Sequence, residues 1–171
     1  MKFTKAALTV LIMMISGSVY SSDNYNLHLL IQATFTKPTC NISVPGTYEF
    51  GKLIQGEGEK RAADLDITWT CDVKKMTALT ATVLNGNLID DEQVMLVTDD
   101  KNKSNVLLSL VEKGKGNRIK LNVSSEEGYF CRDATATTSM RSCKLTPIIT
   151  VPADAILGGV QATLLFSVAY L

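Results

Sequence analysis

Beyond the first twenty or so residues, apolar side chains recur at every second position in one segment after another. Tyr25, Leu27, Leu29, Ile31, Ala33 and Phe35 form one series, and Leu65, Ile67, Trp69 and Cys71 the next. Leu79, Ala81 and Val83 follow, then Ile119, Leu121 and Val123. The cleanest series comes last: Ala162, Leu164, Phe166, Val168 and Tyr170 share one face and stop one residue short of the carboxyl terminus. A strand points successive side chains to opposite faces, so each series predicts a half-buried β-strand. Apolar runs at Val94 to Val97, Val106 to Val111 and Leu145 to Val151 predict three more strands. Pro147 lacks a ladder donor and marks the last of these as an edge or a bulge. Turn signals at Pro45 and Gly46, Gly56 and Gly58, Asn85 to Asn87, Asp99 to Asn105, Gly114 to Asn117, and Gly158 with Gly159 punctuate the chain. Short strands so spaced, with almost no helical periodicity, predict an all-β chain folded as a sandwich.

The amino terminus follows another rule. Lys2 and Lys5 precede an apolar run from Ala6 to Ile15 and the small, polar Ser16, Gly17 and Ser18. That arrangement reads as a secretory signal peptide, taken as residues 1–21, and the run is too short to cross a hydrocarbon layer of about 30 Å. No second hydrophobic segment predicts a membrane span. The full chain of 171 residues carries 17 basic and 17 acidic side chains; the leader holds two of the lysines and none of the acids, which leaves a mature net charge of −2. No basic stripe is interleaved with aromatics, so nucleic acid is not an expected partner.

Export makes the cysteines informative, because Cys40, Cys71, Cys131 and Cys143 would reach an oxidising compartment. Three pairings are open. Sequential pairing, Cys40 with Cys71 and Cys131 with Cys143, is favoured because it closes two compact loops with 30 and 11 intervening residues. Zinc is not expected, since no two cysteines have knuckle spacing and His28 is the only histidine. The same shortage of imidazole leaves a serine nucleophile without a base, so no catalytic residues and no cofactor are assigned. Asp90 with Asp91 and Glu126 with Glu127 read as solvated turns rather than acid–base pairs. Gly114 to Arg118 lacks the spacing of a phosphate loop and reads as a hairpin turn. Lys74, Lys75, Lys101 and Lys103 read as a solvated face, with contact to a host receptor as the alternative.

The two ends carry the most information. The leader, the alternating extension that runs into Cys40, the second cysteine at Cys71 and the ending from Gly158 to Leu171 together resemble the pilins of the bacterial chaperone–usher pathway. Tyr170 is penultimate and Gly158 is fourteenth from the end, as in the carboxyl-terminal signature of those subunits. The resemblance implies an incomplete immunoglobulin-like sandwich that lacks its last strand and leaves a groove beside the carboxyl-terminal strand. A periplasmic chaperone would fill the groove first. The extension of a neighbouring pilin subunit would then replace the chaperone at the outer-membrane usher. On this reading residues 22–36 are the donor extension, with Tyr25, Leu27, Leu29, Ile31 and Ala33 entering a neighbour, and residues 37–171 are the pilin domain. Gly158, Leu164, Phe166, Val168 and Tyr170 are then the residues that meet the chaperone and line the groove. The expected location is the periplasm and afterwards a cell-surface fimbria with a role in adhesion.

Two departures from the family pattern stand out. Ala33 occupies the donor position where pilins often have glycine, and the pair Cys131 and Cys143 is extra relative to the abundant shaft subunits. The second, with loops rich in Lys and Asp, favours a minor or tip-associated subunit. The competing reading is a self-complete secreted β-sandwich that recognises a host ligand through its loops.

Overall fold

The computed structural model describes residues 39–171. In chain order its strands are β1 (Cys40–Ser43), β2 (Gly58–Arg61), β3 (Leu65–Cys71), β4 (Thr77–Asn85), β5 (Asn87–Leu88), β6 (Val94–Thr98), β7 (Lys103–Glu112), β8 (Arg141–Val151), β9 (Val160–Gln161) and β10 (Thr163–Tyr170). A single 3-10 turn at Glu126–Gly128 interrupts them. The expected leader and the donor residues Tyr25 to Ala33 lie outside the described residues.

Alternation becomes structure most plainly in β3, where Leu65, Ile67, Trp69 and Cys71 are buried while Asp66 and Thr70 face solvent. The strand pairs on both edges, lying between β1 and β8. The main sheet continues β1-β3-β8-β7-β6-β5, antiparallel throughout, with β2 also on β8 and β9 also on β6. β4 and β10 form a second, two-stranded antiparallel sheet. Leu79 and Ala81 of that sheet share one core cluster with Ile67, Trp69, Leu96, Leu110, Leu145 and Ile149 of the first. The fold is thus a β-sandwich with one broad layer and one narrow layer.

Two local expectations are sharpened or corrected. Of the two readings of Pro147, an edge or a bulge, the bulge is the one that holds: the residue is fully buried in β8, opposite Leu110 of β7. It is accommodated by a bulge on the other side. Arg61 pairs with Ile148 and Leu65 with Leu145, so Ala62, Ala63 and Asp64 oppose only Thr146 and Pro147. The bulge is well satisfied. Ala62 N donates to Pro147 O at 2.9 Å, Thr146 Oγ1 donates to Asp64 Oδ1 at 2.7 Å, Lys113 pairs with Asp64, and the Tyr48 hydroxyl donates to Ala63 O.

The second concerns Ile119 to Val123, which is not a strand. Ile119 and Leu121 are buried as the pattern requires, but the backbone makes only isolated bridges and Asn122 turns through φ 60°. An asparagine side chain tolerates that left-handed conformation and can replace a missing ladder bond. Here Asn122 Oδ1 accepts from Val83 N at 2.7 Å.

Candidate functional site

Among the described residues, β10 has a strand along one edge only. Its ladder to β4 is regular from Leu164↔Val83 through Phe166↔Ala81 and Val168↔Leu79 to Tyr170↔Thr77. The two strands differ in burial. Leu79 and Ala81 are about fully buried, at 0% and 1% exposed, yet Leu164, Phe166 and Val168 on the same face of β10 are only half-buried. The difference measures missing cover on the side of β10 away from β4.

That side opens onto a groove of about 920 Å³. Its floor is the apolar face of the main sheet, with Leu65, Leu96, Val106, Leu108 and Leu110. One wall is the stretch from Ile156 through Leu164 to Phe166; the other is the stretch from Val44 to Leu53. The walls converge at the far end, where β10 meets β1 and the Tyr170 hydroxyl lies 3.2 Å from Cys40 Sγ. At the near end the chain changes sheets, since β9 pairs with β6 and β10 with β4. The wall from Val44 to Leu53 belongs to no strand and rests on side chains. Tyr48, Phe50 and Leu53 are half-buried against the core, the Tyr48 and Phe50 rings lie 5.1 Å apart, and the Tyr48 hydroxyl reaches the Ala63 carbonyl of the bulge. Burial and the nearby Asp64 carboxylate hold the Tyr48 phenol above its ordinary value of 10.0, so it remains a donor at neutral pH.

Of the residues singled out in the sequence, Gly158, Leu164 and Phe166 line this groove. Val168 packs on the core beyond its lining, and Tyr170 stands at the closed end. Gly158 has φ 133°, a conformation that side-chain-bearing residues rarely adopt. The disulfides are Cys40–Cys71 and Cys131–Cys143. The first joins directly opposed residues of β1 and β3 and so fixes the start of the groove wall to the main sheet. Tyr48 and Phe50 were missed as site residues, although their spacing around the exposed Glu49 repeats the period of two found elsewhere.

The chemistry within reach of this site is strand addition. A free strand edge can pair with an added strand, and an apolar groove beside it can receive that strand's alternate side chains. Among the described residues no three His, Cys, Asp or Glu side chains are grouped to hold a metal ion. Among the same residues no helix is long and apolar enough to cross a membrane.

No protein-family model matches the chain, and no curated protein matches it at a significant level. Solved structures do. The chain is similar to the P pilus rod subunit PapA, with 19% identity over 77% of this chain and 99% of that one, at a TM-score of 0.54. It is also similar to a chain in the structure of a chaperone–usher pilus that addresses rod uncoiling, with 16% identity over 86% of this chain and 97% of that one, at a TM-score of 0.58. At these identities the likeness is one of fold. The sandwich has the pilin fold, and the neighbours that share it are subunits of pili.

Proposed function

We propose that this chain is a structural subunit of a bacterial surface fimbria, exported to the periplasm and assembled by a periplasmic chaperone and an outer-membrane usher through donor-strand exchange. The observation that carries the reading is the half-buried inner face of β10 beside an edge with no strand on it among the described residues. An incomplete sandwich of this kind needs a strand from another molecule. The chaperone provides it first, and the extension of the next subunit replaces it.

Tyr25, Leu27, Leu29, Ile31 and Ala33 are the residues proposed to enter a neighbour's groove. Burying one apolar side chain is worth about 1.5 to 3 kcal/mol, so four or five of them supply on the order of 6 to 15 kcal/mol before the costs of ordering. Main-chain hydrogen bonds along β10 fix the pairing, and the alternate side chains fix the register. The extra disulfide and the charged loops support a minor or tip-associated position in the fibre, with adhesion as the service of the assembled fimbria.

Deleting Tyr25 to Ile31 tests the donor half of the proposal separately from the acceptor half. The truncated subunit is expected to co-purify with its chaperone and to be unable to extend a fibre. Polymerisation at the wild-type rate would overturn the assignment.

A further inference from the structure

The Cys131–Cys143 disulfide takes no part in the groove, and its surroundings point elsewhere. β4 lies between β10 and a stretch that is not a strand, residues 121–133. That stretch satisfies the outer edge of β4 position by position. Thr77 N donates to Asp133 Oδ2 and Asp133 N donates to Thr77 O, both at 2.8 Å. Leu79 and Phe130 exchange a pair of backbone bonds at 2.9 and 3.0 Å. Asn122 N donates to Ala81 O at 2.8 Å, and Val83 N donates to Asn122 Oδ1 at 2.7 Å. Uncovered, this row of donors and acceptors would be a second free edge on the same two-stranded sheet, equal in kind to that of β10.

The covering stretch has no sheet of its own to hold it. It turns through left-handed backbone at Asn122, φ 60°, and at Cys131, φ 47°. It is anchored at both ends: Leu121 is buried and its N donates to Asp91 O at 2.5 Å, and the far end leads into β8. The disulfide ties Cys131 to Cys143, and Asp133 Oδ2 pairs with Arg141 Nε at 2.7 Å, both side chains well buried. The same Asp133 oxygen accepts from Thr77 Oγ1 at 2.8 Å, which in turn accepts from Trp69 Nε1 at 2.9 Å in the core. Phe130 stands edge-on to Phe166 of β10, with ring centroids 6.4 Å apart.

We propose that the Cys131–Cys143 disulfide is an edge guard: it fastens residues 121–133 along β4, so that the subunit offers strands of other copies one accepting edge, that of β10, and not two. The proposal rests on β10 being a strand acceptor. It gives the extra disulfide the task of making assembly linear.

The test uses the mature subunit saturated with a synthetic peptide of residues 23–35, as wild type and as the Cys131→Ala, Cys143→Ala double variant. Native mass spectrometry counts peptides per subunit, and hydrogen exchange follows the Leu79 and Val83 amides. Wild type is expected to hold one peptide with both amides protected. In the variant those amides exchange roughly tenfold faster or more, with β3 amides unchanged, and a second peptide or a subunit dimer appears. Unchanged protection of Leu79 with one peptide per subunit would overturn the guard. Where the double variant gives no folded subunit, the wild-type complex is gently reduced, and the species alkylated only at Cys131 and Cys143 is scored in the same way. Failure of the wild type to bind peptide would contradict the acceptor reading of β10, while the Leu79 amide would still decide the guard.

Discussion

At the scale of single residues, backbone strain and one ion pair make the clearest predictions. Gly158 has φ 133° with nothing within 4 Å of a Cβ built upon it, so Gly158→Ala meets no clash and suffers only the unfavourable backbone. The expected cost is about 1 to 3 kcal/mol, read as a lowered urea midpoint of the strand-complemented subunit with reduced chaperone capture. An unchanged midpoint would contradict the place given to this glycine in the groove wall. Asp64 is held below its ordinary 3.8, first by the hydrogen bond from Lys113 and then by that from Thr146. Lys113 is raised above its ordinary 10.5 by the same carboxylate. The Asp64 contribution is therefore present above the ordinary carboxylate value and lost as pH falls through the lowered one. The Lys113 contribution is present below 10.5 and lost as pH rises through the raised value. Wild type should exceed Asp64→Asn in thermal midpoint by a constant margin across neutral pH, with the two converging in acid; a margin that persists in strong acid would contradict this. Gly158 was legible as a turn residue, but the Asp64 ion pair was not, because Lys113 lies 49 residues from Asp64 and Thr146 lies 82 away.

At the scale of elements, the strands with strict alternation were legible and the polar or irregular ones were not. β3 and β10 follow the apolar series residue for residue, because each buries one face against a core. β2, with the sequence Gly-Glu-Lys-Arg, has no apolar signal and pairs by backbone alone. The groove wall from Val44 to Leu53 has side-chain anchors without a ladder, a state that a period of two does not announce. Pro147 announced an edge or a bulge, and the bulge is what forms; the sequence left open which of the two it would be and that the extra residues lie on the facing side. β10 yields the element-scale predictions. Phe166→Ala removes a half-buried ring from the groove, and donor-peptide affinity is expected to fall roughly ten- to hundredfold with little change in the main sheet. Tyr170→Ala removes the ring at the closed end beside Cys40 and is expected to lower the periplasmic yield of the chaperone complex. Unchanged affinity in the first case, or unchanged yield in the second, would move the acceptor site away from β10.

At the scale of the whole molecule, the sandwich has one broad layer and one narrow layer, and among the described residues the narrow layer has no strand along the far edge of β10. The outer edge of β4 is capped by residues 121–133, whereas the far edge of β10 borders an apolar groove. A fold built in this way should not be stable alone, since an open edge above an apolar floor favours aggregation until a strand fills it. The most direct test is expression of the mature chain in a bacterial periplasm with and without a chaperone of the pathway, followed by size exclusion. The account predicts soluble subunit only as a chaperone complex, which passes to oligomers when the chaperone is removed. A stable lone monomer would contradict it, for the sandwich would then complete itself and the self-contained ligand-binding domain would be the correct reading.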